Sequence, residues 1–460
     1  MTELAQFQKD GVYGIYRFKG KCLLADEQGL GKTIQALEWI RRIPKRRPVF
    51  IITPASMKYT WQAEAALHFS MRIEVLEGFR KKRQMTLPGD IVIINYEILE
   101  SWLPALLKAG PRCLIFDEIH YLKNATAKRT KAATNLAEGV DSVVGLSGTP
   151  LTNRPVELWP ILNIIKPSLF PSFEKYAWRY CKPRYTQWGW VFDGAAHLDE
   201  LHSILRRKCM IRRMKKSVLT ELPDKIRQVV SFKLASYHEY NRAKSDFLGW
   251  LGSISPSRAK KAKKSQALTK IGYLLRLAAK LKLEWTTQWI KEFTLAHPNE
   301  KMVVLTMHTF VIEHLKERFP NSVVIDGRIT GRKRVESVRK FQSNRTIQYL
   351  FGNVKAAGVG LTLTAARHGV FADFPWTPGD LMQGEDRVHR IGQKRQVFIH
   401  YLVALGTIEE KLIKILQQKA SILDAVLNGQ GGEIDFDIFD ELLKEMKNEH
   451  KKIRDLSDAR

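Results

Sequence analysis

The sequence predicts an α/β protein of two lobes, each built on a parallel sheet with helices on both faces. Three observations predict it. Short, continuously apolar, β-branched runs alternate with helical segments, as in strands buried on both faces. The pattern pauses after residues 142–147 and resumes at Met302, which implies two sheets with a tract between them. A chain of 460 residues is also long enough for several cores.

The first element is the apolar run Cys22-Leu23-Leu24, followed by Ala25-Asp26-Glu27-Gln28-Gly29-Leu30-Gly31-Lys32-Thr33 and a helix whose apolar side is Ile34, Leu37, Trp39 and Ile40. A strand, a Gly-bearing turn and a helix N-terminus form a phosphate-binding loop, in which backbone N–H groups and the helix dipole meet the anion. Lys32 would reach the β- and γ-phosphates of ATP, and the Thr33 hydroxyl would hold Mg2+. Asp26 stands where such loops usually begin with glycine. Gln8, upstream, carries an acceptor and donors suited to an adenine edge.

Strands are expected at Val49–Thr53, Ile91–Asn95, Cys113–Asp117 and 142–147. In parallel sheets ligands gather at the carboxyl ends of the strands. The third ends in Asp117-Glu118-Ile119-His120. Two acids closing a buried strand are costly unless a cation or substrate neutralises them, so Asp117 is assigned to Mg2+ and Glu118 to the attacking water. Leu146-Ser147-Gly148-Thr149-Pro150 then closes this half.

The second half expects strands at Met302–Thr306, Ser322–Ile325, 347–351, 370–373 and 397–403. Its polar landmarks are Gly358-Val359-Gly360-Leu361-Thr362 and the stretch from Gln383 to Gln393. It has no phosphate loop, so its expected role is to cover a nucleotide on the first lobe and supply Arg387 and Arg390, which would share one helix face. Between the halves, roughly 159–300, the pattern turns helical and very basic, with clusters at Arg206-Arg207-Lys208, Arg212-Arg213, Lys215-Lys216 and 258–264. A helix is expected from Gly406 through Leu427, with a glycine-rich break at 429–432 before a charged terminal helix.

Lys plus Arg outnumber Asp plus Glu by 75 to 47, a net charge of +28. Such an excess suits a surface that meets a polyanion, nucleic acid before an anionic membrane. The four cysteines, Cys22, Cys113, Cys181 and Cys209, show no metal-ligand spacing, which favours a reducing compartment and argues against a zinc site. With no N-terminal hydrophobic segment and no apolar stretch long enough to span a bilayer, an intracellular, soluble protein is expected, in a bacterial or phage-infected cell or in a nucleus.

Taken together, the motifs resemble superfamily-two helicase-like ATPases, and among them the Swi/Snf double-stranded-DNA translocases. The stretches that carry the likeness are Asp26 to Thr33, Thr53-Pro54-Ala55-Ser56-Met57-Lys58 with Trp61, Ile94-Asn95-Tyr96-Glu97, the Asp-Glu-Ile-His box, Leu146 to Leu151, and Arg212-Arg213-Met214-Lys215 leading to Leu222-Pro223-Asp224-Lys225. Asp326-Gly327, Trp376-Thr377-Pro378 and Gln383 to Gln393 complete the series. In that family Asp is usual at the first loop position, while Gly384 replaces a customary Ala. A narrower likeness, through Tyr180-Cys181, Trp188-Gly189-Trp190, Gly194-Ala195-Ala196 and Leu198 to Leu201, is to the branch of the HARP-type annealing helicases, here as a minimal motor without that branch's accessory modules.

The resemblance implies an α/β fold of two RecA-like lobes with helical protrusions between them and a C-terminal brace. The expected domains are residues 1–158 for the first lobe, 159–226 for its protrusion and linker, 227–300 for the second protrusion, 301–406 for the second lobe and 407–460 for the brace and tail. It implies Gln8, Gln28, Gly29, Leu30, Gly31, Lys32, Thr33 and Gly360 on ATP, Thr33 and Asp117 on Mg2+, Glu118 on water, and Arg387 and Arg390 as arginine fingers. Ser56, Lys58, Asn95, Tyr96 and Trp376 match positions that line a DNA groove. The implied activity is ATP hydrolysis coupled to movement on duplex DNA, plain or forked, by a monomer targeted through a separate protein. A strand-separating DNA or RNA helicase and a catalytically weak nucleic-acid scaffold are the competing readings. The scaffold would be marked by loss of Lys32, Glu118 or Arg390, and all three are present.

Overall fold

A computed structural model describes residues 4–68, 72–79, 90–148, 150, 154–186, 189–192, 194–219, 221–252, 260–329, 331–357, 361–427, 442 and 446, apart from the side chains of 67–68, 247–252, 260–266, 332 and 420–427. The first lobe holds β1 Lys21–Leu24, β2 Val49–Thr53, β3 Ile73–Val75, β4 Ile91–Asn95, β5 Cys113–Asp117 and β6 Ser142–Leu146. A small antiparallel hairpin follows, β7 Arg184–Thr186 and β8 Gly189–Val191, and then β9 Met210–Ile211. The main sheet runs β3-β4-β2-β5-β6-β1-β9, its described pairs parallel.

Its strands are apolar throughout because each face has its own core. Leu23, Phe50, Val92, Leu114 and Phe116 pack on one side. Cys22, Leu24, Ile51, Ile93 and Ile115 pack on the other. All four cysteines are buried and free; burial pushes the Cys22, Cys113, Cys181 and Cys209 thiols up, as suits inert packing residues.

The second lobe holds β10 Lys225–Phe232, β11 Met302–Thr306, β12 Ser322–Ile325, β13 Tyr349–Asn353, β14 His368–Phe371 and β15 Val397–Ala404. These form a parallel sheet in the order β10-β15-β14-β11-β13-β12. Helix Ile408–Leu427 packs on helix Lys260–Leu281 and also reaches helix Leu198–Lys208 of the first lobe. Among the described residues no helix is long and apolar enough to cross a membrane.

Four strands lie in the tract expected to be helical: the β7–β8 hairpin, β9 and β10. β9 closes one edge of the first sheet and β10 opens the second. β10 is largely exposed, so it lacks the apolar run that betrays a buried strand, and β9 is only two residues long. The 429–432 break and, apart from Leu442 and Met446, the charged terminal helix lie outside the described residues, as do residues 258–259 of the basic cluster.

Candidate active site

The phosphate loop leaves β1 and enters helix Lys32–Arg42 through Gly31, at φ 73°. Gly29 sits at φ 90°, and a Cβ there would lie 2.8 Å from Arg390 Cγ and 3.3 Å from Lys215 Cε. Glycine therefore supplies both the left-handed turn and the room for cations that approach from outside the lobe. Lys32 Nζ donates to the carbonyls of Asp26 and Glu27 at 2.9 and 3.4 Å. Burial lowers its ammonium to about 8, against the pull of Glu118 and Asp26.

The unusual Asp26 has a structural cause. It is fully buried and accepts from Arg213 Nε at 3.0 Å and Gln35 Nε2 at 3.1 Å, with a second Arg213 contact that makes the pair bidentate. Arg212 Nη1 donates to the Ala25 carbonyl at 2.8 Å. The loop is thus held from outside by the two arginines that follow β9.

Asp117 and Glu118 close β5. Asp117 Oδ2 accepts from Thr53 Oγ1 at 2.9 Å and Trp61 Nε1 at 2.8 Å. Burial, together with the adjacent Glu118 charge, raises Asp117 to about 6. Glu118 adopts φ 48°, a conformation few non-glycine residues take outside functional turns. Its Oε1 accepts from Gln28 Nε2 at 3.2 Å. Burial raises the Glu118 carboxyl, but the His120 ring and the charges of Lys32 and Arg387 outweigh it and hold the group at about 2. His120 Nδ1 stands 3.3 Å from Glu118 Oε2 and 3.1 Å from Ser147 Oγ.

Arg387 and Arg390 enter from the second lobe. Helix Pro378–Glu385 ends before them, so the shared helix face expected from their spacing gives way to a turn held by side-chain bonds. Arg387 Nε donates to the Gln383 carbonyl at 2.9 Å, and Leu361 O accepts from Arg387 and Arg390 at 3.2 and 3.1 Å. Arg387 Nη2 also bonds Gln28 Oε1 across the lobes. One Gln28 amide therefore joins an arginine of one lobe to the acid of the other. Burial, and then the neighbouring Arg390 charge, lowers Arg387 to about 9; burial lowers Arg390 as well.

These groups line one cleft of about 220 Å3, with Gln28, Gly29, Gly31, Lys32, Thr33, Asp117, Glu118, Arg387 and Arg390 on its walls. Thr60, Glu64 and Thr362 also line it; sequence reasoning missed the first two and marked Thr362 only as part of a polar landmark. Three cations that burial or mutual repulsion makes less stable as cations call for an anion. Thr33 and Asp117 offer hard oxygen donors of the kind Mg2+ takes, and both line the cleft. The residues fit Mg2+ and a phosphate chain.

Other assigned residues fall elsewhere. Gln8 Nε2 contacts the Leu30 carbonyl at 3.4 Å and does not line the cleft. Leu30 is a buried turn residue, and Gly360 lies outside the described residues. Three of the five residues assigned to a DNA groove are buried with internal partners. Lys58 is buried with Nζ on the Leu76 carbonyl at 2.8 Å, and Asn95 is buried with Nδ2 on Glu97 at 2.7 Å. Tyr96 is buried, donates to the Asp117 carbonyl at 2.7 Å and stacks on Tyr121. Their polar atoms complete the lobe's own structure. Ser56 is half-buried, and Trp376 packs on the second lobe's core.

The lobes also meet through a buried ion cluster. Lys215 Nζ lies 2.8 Å from Asp386 Oδ1, 2.8 Å from the His389 carbonyl and 3.7 Å from Glu27 Oε1. Lys225 contacts Glu385 at 2.7 Å and Asp386 at 3.3 Å, and Arg227 grips Glu385 with two bonds of 2.9 and 2.7 Å.

Comparison with known proteins gives two family matches, an SNF2-related domain over residues 7–307 and a helicase conserved C-terminal domain over residues 283–392. The SWI/SNF-related matrix-associated actin-dependent regulator of chromatin subfamily A-like protein 1 of Xenopus tropicalis is 35% identical over 439 residues, 94% of this chain and 45% of that protein. The mouse DNA annealing helicase and endonuclease ZRANB3 is 34% identical over 450 residues, 93% of this chain and 41% of that protein. The chain thus spans less than half the length of these relatives. A solved structure, the Sulfolobus solfataricus SWI2/SNF2 ATPase core in complex with dsDNA, aligns with a TM-score of 0.45 and 26% identity, covering 93% of this chain and 94% of that one.

Proposed function

This chain belongs to the SNF2-related family of helicase-like ATPases, and we propose that it couples Mg2+-dependent ATP hydrolysis to translocation along double-stranded DNA. The observation that carries the reading is the shared cleft, where Lys32, Asp117 and Glu118 of one lobe face Arg387 and Arg390 of the other.

In this reading Lys32 and the Gln28 to Thr33 loop bind the phosphates. Thr33 and Asp117 hold Mg2+, which neutralises phosphate charge when bound. Gln8 turns from the loop to the adenine. Glu118, ionised at working pH, orients the water whose oxygen attacks the γ-phosphorus as the bond to the bridging oxygen breaks. Arg387 and Arg390 stabilise the charge that develops there. Because the arginines come from the other lobe, their engagement requires the lobes to be closed, and hydrolysis removes the anion that draws them in.

Duplex DNA is supported by the net charge of +28 and by the relatives' names, one a regulator of chromatin and one a DNA annealing helicase. Contacts to phosphates make binding independent of sequence and steeply weakened by salt. The test is steady-state ATPase activity with no polymer, single-stranded DNA, duplex, forked DNA and structured RNA. Stimulation by duplex or fork, abolished by Lys32→Ala, is expected. Stimulation by single strands or RNA alone would make it a conventional helicase, and stimulation by none a scaffold.

A further inference from the structure

Away from the cleft, the first lobe displays a row of aromatic rings that the ATPase reading does not use. Tyr185 on β7 stands opposite Trp190 on β8. Tyr185 is 72% exposed, Trp190 51% and Trp178, on helix Phe173–Tyr180, 50%. The rings are braced against each other: Trp190 meets Trp178 edge-on with centroids 4.6 Å apart, and Tyr185 at 5.2 Å. Phe192 continues the row to Phe173 at 5.9 Å and Trp178 at 6.1 Å.

The row has a firm base. Tyr176 of the same helix donates its hydroxyl to the Pro155 carbonyl at 2.8 Å. Glu157, two residues on, pairs at 3.2 Å with Lys123, in the turn that follows Glu118. The helix that carries Trp178 is therefore tied through two contacts to the segment carrying Asp117 and Glu118.

Exposed rings of this size are unfavourable in water without a partner. Their setting names the chemistry of that partner. Lys175, Lys182 and Arg184 are exposed on the same stretch as the rings, Arg179 is paired with Glu200, and Glu174 is the acid of the stretch 173–191. Braced rings set among cations are the combination that stacks nucleobases while holding the phosphates between them. A duplex presents only base edges in its grooves, its faces being stacked inside. A ring shelf gains stacking only from unpaired bases.

We propose that Tyr185, Trp190 and Trp178 form a second nucleic-acid site, a stacking shelf for unpaired nucleotides, separate from the surface that follows the duplex. It rests on the proposed function in that the single strand belongs to the DNA on which the motor works. The shelf would hold a displaced or not yet annealed strand at the first lobe while the lobes act on the paired segment.

The test uses the full chain, a labelled single-stranded oligonucleotide and a labelled blunt duplex of equal length, read by fluorescence anisotropy. Tyr185→Ala and Trp190→Ala should each weaken single-strand binding about fivefold or more. Duplex binding and duplex-stimulated ATPase should stay within about twofold, because no base face is offered by a duplex. Tyr185→Phe should retain single-strand binding, since the ring remains. Tyr185 is the more exposed ring, so its variant keeps the test valid if Trp190→Ala loosens the hairpin. Unchanged single-strand affinity in Tyr185→Ala would overturn the proposal and leave the shelf to a protein partner. An equal loss on both probes would overturn it too, as a general charge or folding effect. Duplex-stimulated turnover by the parent chain is a separate readout, so a failed motor reading and a failed shelf are told apart.

Discussion

Lys215→Met should uncouple the lobes while leaving the nucleotide cleft lined. The Lys215 ammonium is buried and lies 2.8 Å from both Asp386 Oδ1 and the His389 carbonyl. Burial lowers its affinity for a proton, and Asp386 restores part of it. Removing one partner of a buried ion pair costs about 3–5 kcal/mol. Lys225 remains 3.3 Å from the same Asp386 oxygen, so about 3 kcal/mol is the appropriate figure. Asp386 is the residue before Arg387. Assigning roughly half of the cost to the closed arrangement, about 1.4 kcal/mol, lowers kcat about tenfold. KM for ATP should change little, since Lys215 does not line the cleft. The assay is ATPase turnover at saturating duplex DNA for Lys215→Met, Asp386→Asn and the double variant. The double variant should lose less than the sum of the singles, because both act through one contact. A kcat within about twofold of the parent for Lys215→Met, or losses that add across the cycle, would refute the reasoning.

Three other outcomes follow from the geometry. Asp117 is raised to about 6 and must be ionised to hold a cation, so the Mg2+ concentration for half-maximal turnover should rise as pH falls through about 6; a flat Mg2+ requirement across pH 5 to 7 would contradict the assignment. Trp61→Phe removes a 2.8 Å donor to Asp117 Oδ2; at about 1.5–3 kcal/mol for a bond to a charged group, Mg2+ titrations should show its apparent affinity about tenfold weaker. Gly384→Ala would set a Cβ 2.7 Å from Phe371 Cζ and 2.9 Å from Leu305 Cδ1; overpacking of this kind costs about 1–3 kcal/mol, seen as a lowered Tm in thermal unfolding.

What could be read from the sequence was what local chemistry dictates. The loop around Lys32 and the acids after β5 are contiguous and tied to a strand end, and β2, β4, β5 and β11 are apolar on both faces. β10 was not legible because an exposed edge strand has no such run. Arg387 and Arg390 have the spacing of a helix face, but Leu361 and Gln383 carbonyls hold them in a turn; tertiary bonds override the period. The internal partners of Lys58, Asn95 and Tyr96 were not legible, since polarity does not tell whether a side chain's partner is internal.

Asp26 and the basic clusters illustrate the same limit from opposite sides. Read alone, a buried acid in a phosphate loop repels the ligand, and Arg212, Arg213 and Lys215 look like surface cations awaiting a polyanion. In the fold each answers the other: Arg213 pairs with Asp26, Arg212 holds the Ala25 carbonyl, and the Lys215 backbone N–H donates to Glu27 at 2.7 Å. The Lys215 side chain then reaches Asp386. A stretch of four residues so joins the loop that binds phosphate to the turn that carries the arginines. Under the proposed function, a displacement of the loop would be carried by Lys215 to Asp386 and its neighbour Arg387. Cations committed to this connection are not available to a polyanion, so under the proposed function duplex contacts fall to the exposed basic residues, and the interior cluster is the link through which nucleotide on one lobe would be felt by the other.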